Sequence, residues 1–307
     1  MAALDETLVA AEPAPPREET PFRRFAAEFA ASKIAVLGLA VFVIVAVVAV
    51  FATWIAPTDP YDLSQLDILD ARQPPGAEAM DGHVFLLGSD DQGRDMVSAI
   101  MYGLRTSLAV GAMSALVALL IGGAIGLVAA YFGGKVDTLI MRIVDIQLSF
   151  PSILVALILL AVLGQGVGKI IIALVTVQWA YYARTVRGSA LVERRKEYIE
   201  AARCLALSHS RIVFRHLMPN CLPPLIVVVT VQVAHAIALE ATLSFLGIGL
   251  PITEPSLGLL IANGFEYMMS GKYWISFFPG LALLITIVAI NLVGDRLRDV
   301  LNPRYQR

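Results

Sequence analysis

From Ile34 to Ala56 the chain runs for 23 residues without a single charge. A spanning helix needs about 20 mostly apolar residues, because the hydrocarbon core supplies no water to pair with backbone N–H and C=O groups. Four more runs, 106–131, 146–164, 217–239 and 273–294, meet or approach that length. Only 16% of the residues are charged and the mean hydropathy is +0.74, which is membrane-protein composition.

A sixth run is shorter. IIIALVTVQWAYYA holds fourteen uncharged residues between Lys169 and Arg184, so it spans only by drawing on Val167, Gly168 and part of RTVRG. The alternative for 170–183 is a re-entrant or surface segment. The basic residues arbitrate: with six helices and an inner N-terminus, 18 of the 23 Lys and Arg fall in inner segments. Deleting the fourth helix would move Arg184 to Arg215 outside, against the positive-inside bias. The expectation is an all-α membrane protein with six transmembrane helices and both termini cytoplasmic.

The expected organisation is a cytoplasmic tail over 1–32, a first transmembrane helix over 33–56, an extracytoplasmic segment over 57–104, a core of five helices over 105–295 and a cytoplasmic tail over 296–307. The first run comes after 33 Ala, Pro and Glu-rich residues and lacks a processing site, so it reads as a retained span rather than a cleaved signal. Residues 1–20 read as a disordered tail.

The segment 56–100 carries nine of the 25 acidic residues and reads as a lobe of turns ending in a short interfacial helix. Its DDQGRD lacks EF-hand spacing, so turn and interface roles are preferred to calcium. YFGGKVD is a tight turn between two helices. Gly122 and Gly126 form a GxxxG, a weak signal in a chain with 23 glycines. Arg142 and Asp145 sit three apart and can pair with each other or with a partner, and Pro151 is expected to kink its helix. His235 and Glu240 are the polar residues of the fifth helix, Glu240 near enough to its outer end to meet water. From 246 to 272, punctuation by Gly and Pro argues for a packed outer loop.

No P-loop, dinucleotide turn, nucleophile elbow or HExxH is present, and no relay of ionisable groups supports a proton-coupled carrier. Cys204, Cys221, His209 and His216 lack metal-ligand spacing. The chain is therefore expected to catalyse nothing, to bind no cofactor or metal and to have no nucleic-acid partner.

One block stands out, YIEAARCLALSHSRIVFRHLMPN at 198–220. Glu197, Glu200 and Arg203 recur every third position, with Ile199, Ala202 and Ala206 on a neighbouring face, which makes a short amphipathic helix. LSHS interrupts it, Ser208 or Ser210 is placed to cap a second helix, and Ile212, Val213 and Leu217 form a second apolar stripe. Spacing alone fits either a hairpin lying on inner-leaflet lipid or a docking element for a soluble protein.

The block resembles the cytoplasmic EAA loop of inner-membrane permeases of bacterial binding-protein-dependent ABC importers. LLGSDDQGRDMVSAIMYGLRTSL, MRIVDIQLSFPSIL, EATLSFLGIGLP and FFPGLALLITIVAINLVGDRLRDVLNPR are similar to further segments of the dipeptide/oligopeptide/nickel permease family, C-type subunit, and together cover most of 84–304. The resemblance implies a type I ABC importer permease fold in the bacterial inner membrane. It also implies a B-type permease partner, two cytoplasmic ATPases that hold the ATP and Mg, and an extracytoplasmic solute-binding protein. The loop over 188–219 would contain the coupling helix, with Glu200, Ala201, Ala202, Arg203, Ala206, Leu207 and Arg211 meeting the ATPase. Pro151, Asp145, Arg142 and Glu240 would be kink or gating positions. The cargo implied is dipeptides or oligopeptides, with nickel chelates, glutathione or another small solute as alternatives. A scaffold or receptor subunit is the reading from another class. Two positions depart from the family pattern: Ala206 stands where a glycine is normal, and Leu257 where tryptophan is frequent.

Overall fold

The computed structural model describes residues 20–62, 64 and 66–301; the remaining tail residues, among them Arg17, Arg304 and Arg307, lie outside them, as does all but Thr20 of the tail expected over 1–20. The described residues form helices and turns with two isolated bridges, Glu78 with Val84 and Ser89 with Asp95. In chain order the helices are α1 (Pro21–Ala30), α2 (Lys33–Val50), α3 (Ala52–Ile55), α4 (Met96–Phe132), α5 (Gly134–Ser149), α6 (Ser152–Leu163), α7 (Val167–Glu193), α8 (Glu197–Cys204), α9 (His209–Arg211), α10 (Met218–Phe245), α11 (Leu257–Phe265) and α12 (Trp274–Leu301). A π-helical stretch, Ile212–Leu217, joins α9 to α10, so that His209–Phe245 is one 37-residue rod.

Among the described residues, four elements are long and apolar enough to cross a membrane: α2, α4, the His209–Phe245 rod and α12. The bent pair α5–α6 makes a fifth if it counts as one span. α7 has the length, 27 residues, but Lys169, Gln178 and Arg184 lower its hydropathy. It is nevertheless central, burying Ile170, Ala173, Leu174, Val177, Ala180, Ala183 and Val186.

Local chemistry explains the ends of these helices. The Ser32 hydroxyl accepts from Ala35 N at 3.3 Å and opens α2. Asp95 accepts from Ser98 N at 2.8 Å and opens α4. The expected interfacial helix before the second span is therefore absent as a separate piece: α4 is a single 37-residue helix, about 55 Å long, and residue 105 falls inside it. Gly133, at φ +67°, ends α4 in a conformation a Cβ would resist. Likewise, α12 continues past 295 to Leu301.

Pro151 does more than kink its helix. α5 stops at Ser149, α6 starts at Ser152, and the axes turn by 88°. Proline lacks an N–H and pushes the residue before it to extended backbone, and Phe150 is accordingly at φ −90°, ψ 140°.

Close packing is made by small residues. A Cβ on Gly122 would lie 2.1 Å from the Trp179 carbonyl oxygen, and one on Gly126 would lie 2.4 Å from that of Ala183. The GxxxG read as a weak signal is thus where α4 meets α7 backbone to backbone. α5 is tied to α7 by charge: Arg187 donates to both Asp137 oxygens at 2.9 and 2.6 Å, and Arg184 pairs with Asp145.

At one end of α4 lies the lobe, residues 57–95, held by buried polar groups. Asp90 accepts from Arg94 Nε at 2.6 Å and from the backbone N–H of Gln92 and Arg94 at 2.9 Å. The Trp274 indole donates to Ser89 O at 3.1 Å, fastening the start of α12 to the lobe. The other end of α4 meets the 197–217 block.

Candidate functional site

The block hangs from a core built by the ends of α4 and α7. Ile199 and Ala202 of α8, with Ile212 and Leu217, are buried against Leu127, Ala130 and Tyr131 of α4 and Val186 and Ala190 of α7. Leu207 packs partly buried on the same cluster. The opposite face is open: Glu200, Ala201, Arg203, Ala206 and Arg211 are exposed. The seven residues expected at a docking surface therefore divide, with Ala202 and Leu207 rooting the block and the other five facing outward.

Two outward residues are not marked by periodicity. Leu205 is 74% exposed and Phe214 61% exposed, beside the charged face. Both break the amphipathic stripe, and an apolar residue out of phase on a polar face was the available signal. Arg194 and Tyr131 were missed too, because they act through contacts distant in sequence. Arg194 Nη1 donates to Ala130 O at 2.7 Å, while Tyr131 OH and His209 Nδ1 are hydrogen-bonded. Nearby, the Glu193 carboxylate accepts from Lys196 Nζ at 2.6 Å and Tyr198 OH at 2.8 Å. Burial first, and this carboxylate second, push the Tyr198 phenol up to about 12.

The bend in the block is a Schellman motif. Leu207 N donates to Ala202 O at 3.2 Å and Ala206 N to Arg203 O at 2.9 Å, a pairing that requires a left-handed residue at the helix end. Ala206 supplies it at φ +52°. The amphipathic helix expected to include Ala206 ends at Cys204: the paired carbonyls dictate the turn, and alanine adopts it at a cost. Replacing Ala206 by glycine is expected to stabilise the block by about 1 kcal/mol, the left-handed penalty less glycine's extra chain entropy. Slower amide exchange at 199–207 in the purified complex would report it. The expected serine caps do not form. Neither Ser208 nor Ser210 has its hydroxyl on a backbone N–H of the next turn; the two hydroxyls lie 3.4 Å from each other.

The four kink or gating positions do not converge. Asp145 takes Arg184 on α7 rather than Arg142, which is exposed, because the nearer α7 guanidinium crosses the helix pair. Pro151 lies at the 88° break. Glu240 is in the other half of α10, and the expectation that it meets water is overturned: it is fully buried. Its carboxylate accepts from Ser107 Oγ of α4 and Ser244 Oγ of α10, each at 2.8 Å, so three hydroxyl-bearing elements surround it once Ser256, the cap of α11, is included. Leu257, next along, is wholly buried at the start of α11 against Leu104 and Ala49.

Between α7, α10 and α12 lies a cavity of about 1070 Å³. Tyr181, Thr185 and Ser189 line it from α7, Gln232 and His235 from α10, and Asp295 and Arg298 from α12. Polar side chains on helices otherwise this apolar need water or a polar ligand opposite them.

An apolar helical bundle with a cavity that polar side chains help to line, and an exposed block of mixed charge at one end, is an architecture that suits a membrane-embedded transport subunit. The fold agrees. An inward-facing structure of the MetNI methionine ABC transporter superposes with a TM-score of 0.55, covering 67% of this chain and 98% of that one at 22% identity. Residues 122–307 match the family described as binding-protein-dependent transport system inner membrane component, and residues 20–75 match the N-terminal TM domain of oligopeptide transport permease C. The chain belongs to the binding-protein-dependent transport system inner membrane component family. It is 40% identical over its whole length to the dipeptide transport system permease protein DppC of Escherichia coli K12, with both chains fully covered. A putative peptide transport system permease protein of Brucella suis is 44% identical over 270 residues, 88% of each chain. The di/tripeptide transport system permease protein DppC of Pseudomonas aeruginosa is 36% identical over 291 residues, 94% of this chain and 93% of that one.

Proposed function

We propose that this chain is a translocation subunit of an ATP-driven importer of dipeptides or oligopeptides in the bacterial inner membrane. α2, α4, the α5–α6 pair, α7, α10 and α12 are its six spans, with both termini cytoplasmic. It works beside a B-type permease, under an extracytoplasmic solute-binding protein and above two ATPases that bind and hydrolyse ATP with Mg. The observation that carries the reading is the divided block, rooted by Ile199, Ala202, Ile212 and Leu217 while Glu200, Arg203, Leu205 and Phe214 face outward. A rooted helix with an open mixed face transmits a push; one lying flat on lipid would turn its apolar side outward instead.

Closure of the ATPase dimer moves the block, and the permease pair opens toward the binding protein. The cavity beside α7, α10 and α12 is this subunit's share of the solute path, its hydroxyls, Gln232 and His235 offering hydrogen bonds to peptide groups without one rigid geometry.

Reversing the charge at Glu200 (Glu200→Arg) is expected to lower substrate-stimulated ATP turnover and uptake by the reconstituted complex about tenfold or more, the scale of a typical allosteric coupling. Unchanged turnover and uptake would remove the coupling role. Peptide cargo is supported by what the curated relatives carry by name. Ligand identification on the cognate binding protein tests it, and tight binding of a nickel chelate without peptide binding sinks it. Co-purification of a second permease and P-loop ATPases separates this reading from a scaffold or receptor subunit.

A further inference from the structure

In the chain the block is flanked by α7 and α10, and Tyr198 is bonded to Glu193 of α7 and Asn220 of α10, but a further set of contacts goes to α4. Three contacts gather on the last turn of α4. Arg194 Nη1 donates to Ala130 O at 2.7 Å, the Tyr131 hydroxyl is hydrogen-bonded to His209 Nδ1, and the Arg203 guanidinium stands 5.8 Å over the Tyr131 ring centroid. The Tyr131 and His209 rings also meet edge-on, centroids 5.5 Å apart. Tyr131 itself is buried among Leu127, Ile199 and Ile212. One ring thus holds both halves of the block, α8 through Arg203 and α9 through His209.

The helices that meet the block differ in the regularity of their hydrogen-bond ladders. The rod containing α10 passes through the π-helical stretch Ile212–Leu217 and carries Pro219, Pro223 and Pro224, so its hydrogen-bond ladder is irregular where it leaves the block. α4 has no proline in 37 residues. Its far end is fastened to the lobe: Met96 N donates to Gly88 O at 3.0 Å and Asp95 caps the first turn. About two and three turns further on, a Cβ at Gly103 would lie 3.2 Å from Leu257 N, and Ser107 Oγ holds Glu240 at 2.8 Å. α4 is therefore a continuous strut from the block to the lobe, gripped at both ends.

We propose that Tyr131 is the positioning residue that fastens the block to α4, and that α4 carries the block's displacement to the lobe. This rests on the coupling role given to the block above. The strut shifts as a unit with α7, since the two backbones touch at Gly122 and Gly126.

The test uses the complete complex, with sister permease, ATPases and binding protein. A fluorophore on Met80→Cys, a 68% exposed lobe position, reports movement at the far end; exposed Cys204 is replaced by serine and this chain is labelled before assembly with its partners, so that only the lobe carries the dye, Cys221 being buried. A nonhydrolysable ATP analogue with Mg is added, and uptake per ATP hydrolysed is measured in parallel. In the parent complex the nucleotide is expected to shift the lobe signal. Tyr131→Ala is expected to cut that response and the uptake per ATP about fivefold or more, and Tyr131→Phe, which keeps the ring beneath Arg203, to fall between. Thermal melting and ATPase co-purification identify variants that assemble. If Tyr131→Ala does not, Tyr131→Phe and Arg203→Gln, which leave the core ring in place, decide the matter.

Assembled variants with a parental lobe response overturn the proposal, and so does a parent complex whose lobe does not respond to nucleotide. A parent complex that moves its lobe but imports no peptide removes the cargo assignment alone, because the lobe response is read without cargo.

Discussion

Replacing Asp90 by alanine is expected to destabilise the lobe by about 3–5 kcal/mol. Asp90 and Arg94 are 0% and 1% exposed, so the guanidinium cannot turn to water when its partner is removed. The carboxylate also closes the turn, accepting from the backbone N–H of Gln92 and Arg94 while Arg94 Nε donates to its other oxygen at 2.6 Å. Alanine leaves those donors and a buried cation without an acceptor. Asp90→Asn keeps the shape and part of the hydrogen bonding and is expected to cost less. Removing both charges, as in Asp90→Asn with Arg94→Met, is expected to cost less than the sum of the single changes, because a missing pair is cheaper than half of one. Limited proteolysis of the lobe and thermal melting of the complex read these differences. Equal melting of Asp90→Ala and the parent would mean the pair contributes nothing. Because Trp274 is bonded to Ser89 O, the damage is expected to spread to the start of α12.

Valine at Gly122 or Gly126 is expected to push α4 off α7 and prevent accumulation of the folded subunit. The obstructing atoms are backbone oxygens 2.1 and 2.4 Å from the new Cβ, which no rotamer change relieves. Overpacking costs about 1–3 kcal/mol where neighbours can shift, and here the neighbour is a helix backbone inside a bundle. In a membrane little besides packing holds two apolar helices together, so the loss falls directly on helix association. Gly123 is the control on the same helix. Its Cβ would meet only Val186 Cγ2 at 4.0 Å, and Gly123→Ala gains about 1 kcal/mol of helix propensity. Melting temperatures should therefore order Gly123→Ala at or above the parent, with the valine variants at 122 and 126 well below. Equal tolerance at all three positions would show that the close approach is not what fixes the pair.

The block was the most legible part of the site. Glu200, Arg203, Ile199 and Ala202 sort onto opposite faces by spacing, and those faces are the open and buried ones found. The bend was legible only in part, because whether Ala206 continues a helix or turns left depends on the carbonyls of Ala202 and Arg203 finding N–H groups beyond the helix end. That 246–272 is not one straight span, and that GGKVD turns, were readable from Gly and Pro, whose backbone preferences act locally, whereas the length of α11 inside the first segment was not. Pro151 announced a disturbance but not its size. A kink and an 88° break begin from the same missing N–H, and the packing of α6 against α7 selects between them.

Charged residues were legible as exceptions and illegible as partners. Asp145 had Arg142 three residues away and joined Arg184 across the bundle. Glu240 looked close enough to an outer end for water, yet Ser107, 133 positions earlier, folds over it. The cavity was hidden for the same reason, since Thr185, Gln232 and Asp295 become neighbours only when three helices meet.

By itself, then, the order of residues determined where helices run, where they turn and which face of the block is apolar, because hydrocarbon length, backbone freedom and periodicity are properties of neighbours along the chain. The tertiary structure alone decided that α4 and α7 touch at glycine, that Asp145 and Glu240 find distant partners, and that Tyr131 holds the block. Those outcomes depend on which groups come within a few ångströms across the bundle, where the low dielectric makes an unpaired charge or a misplaced methyl group costly.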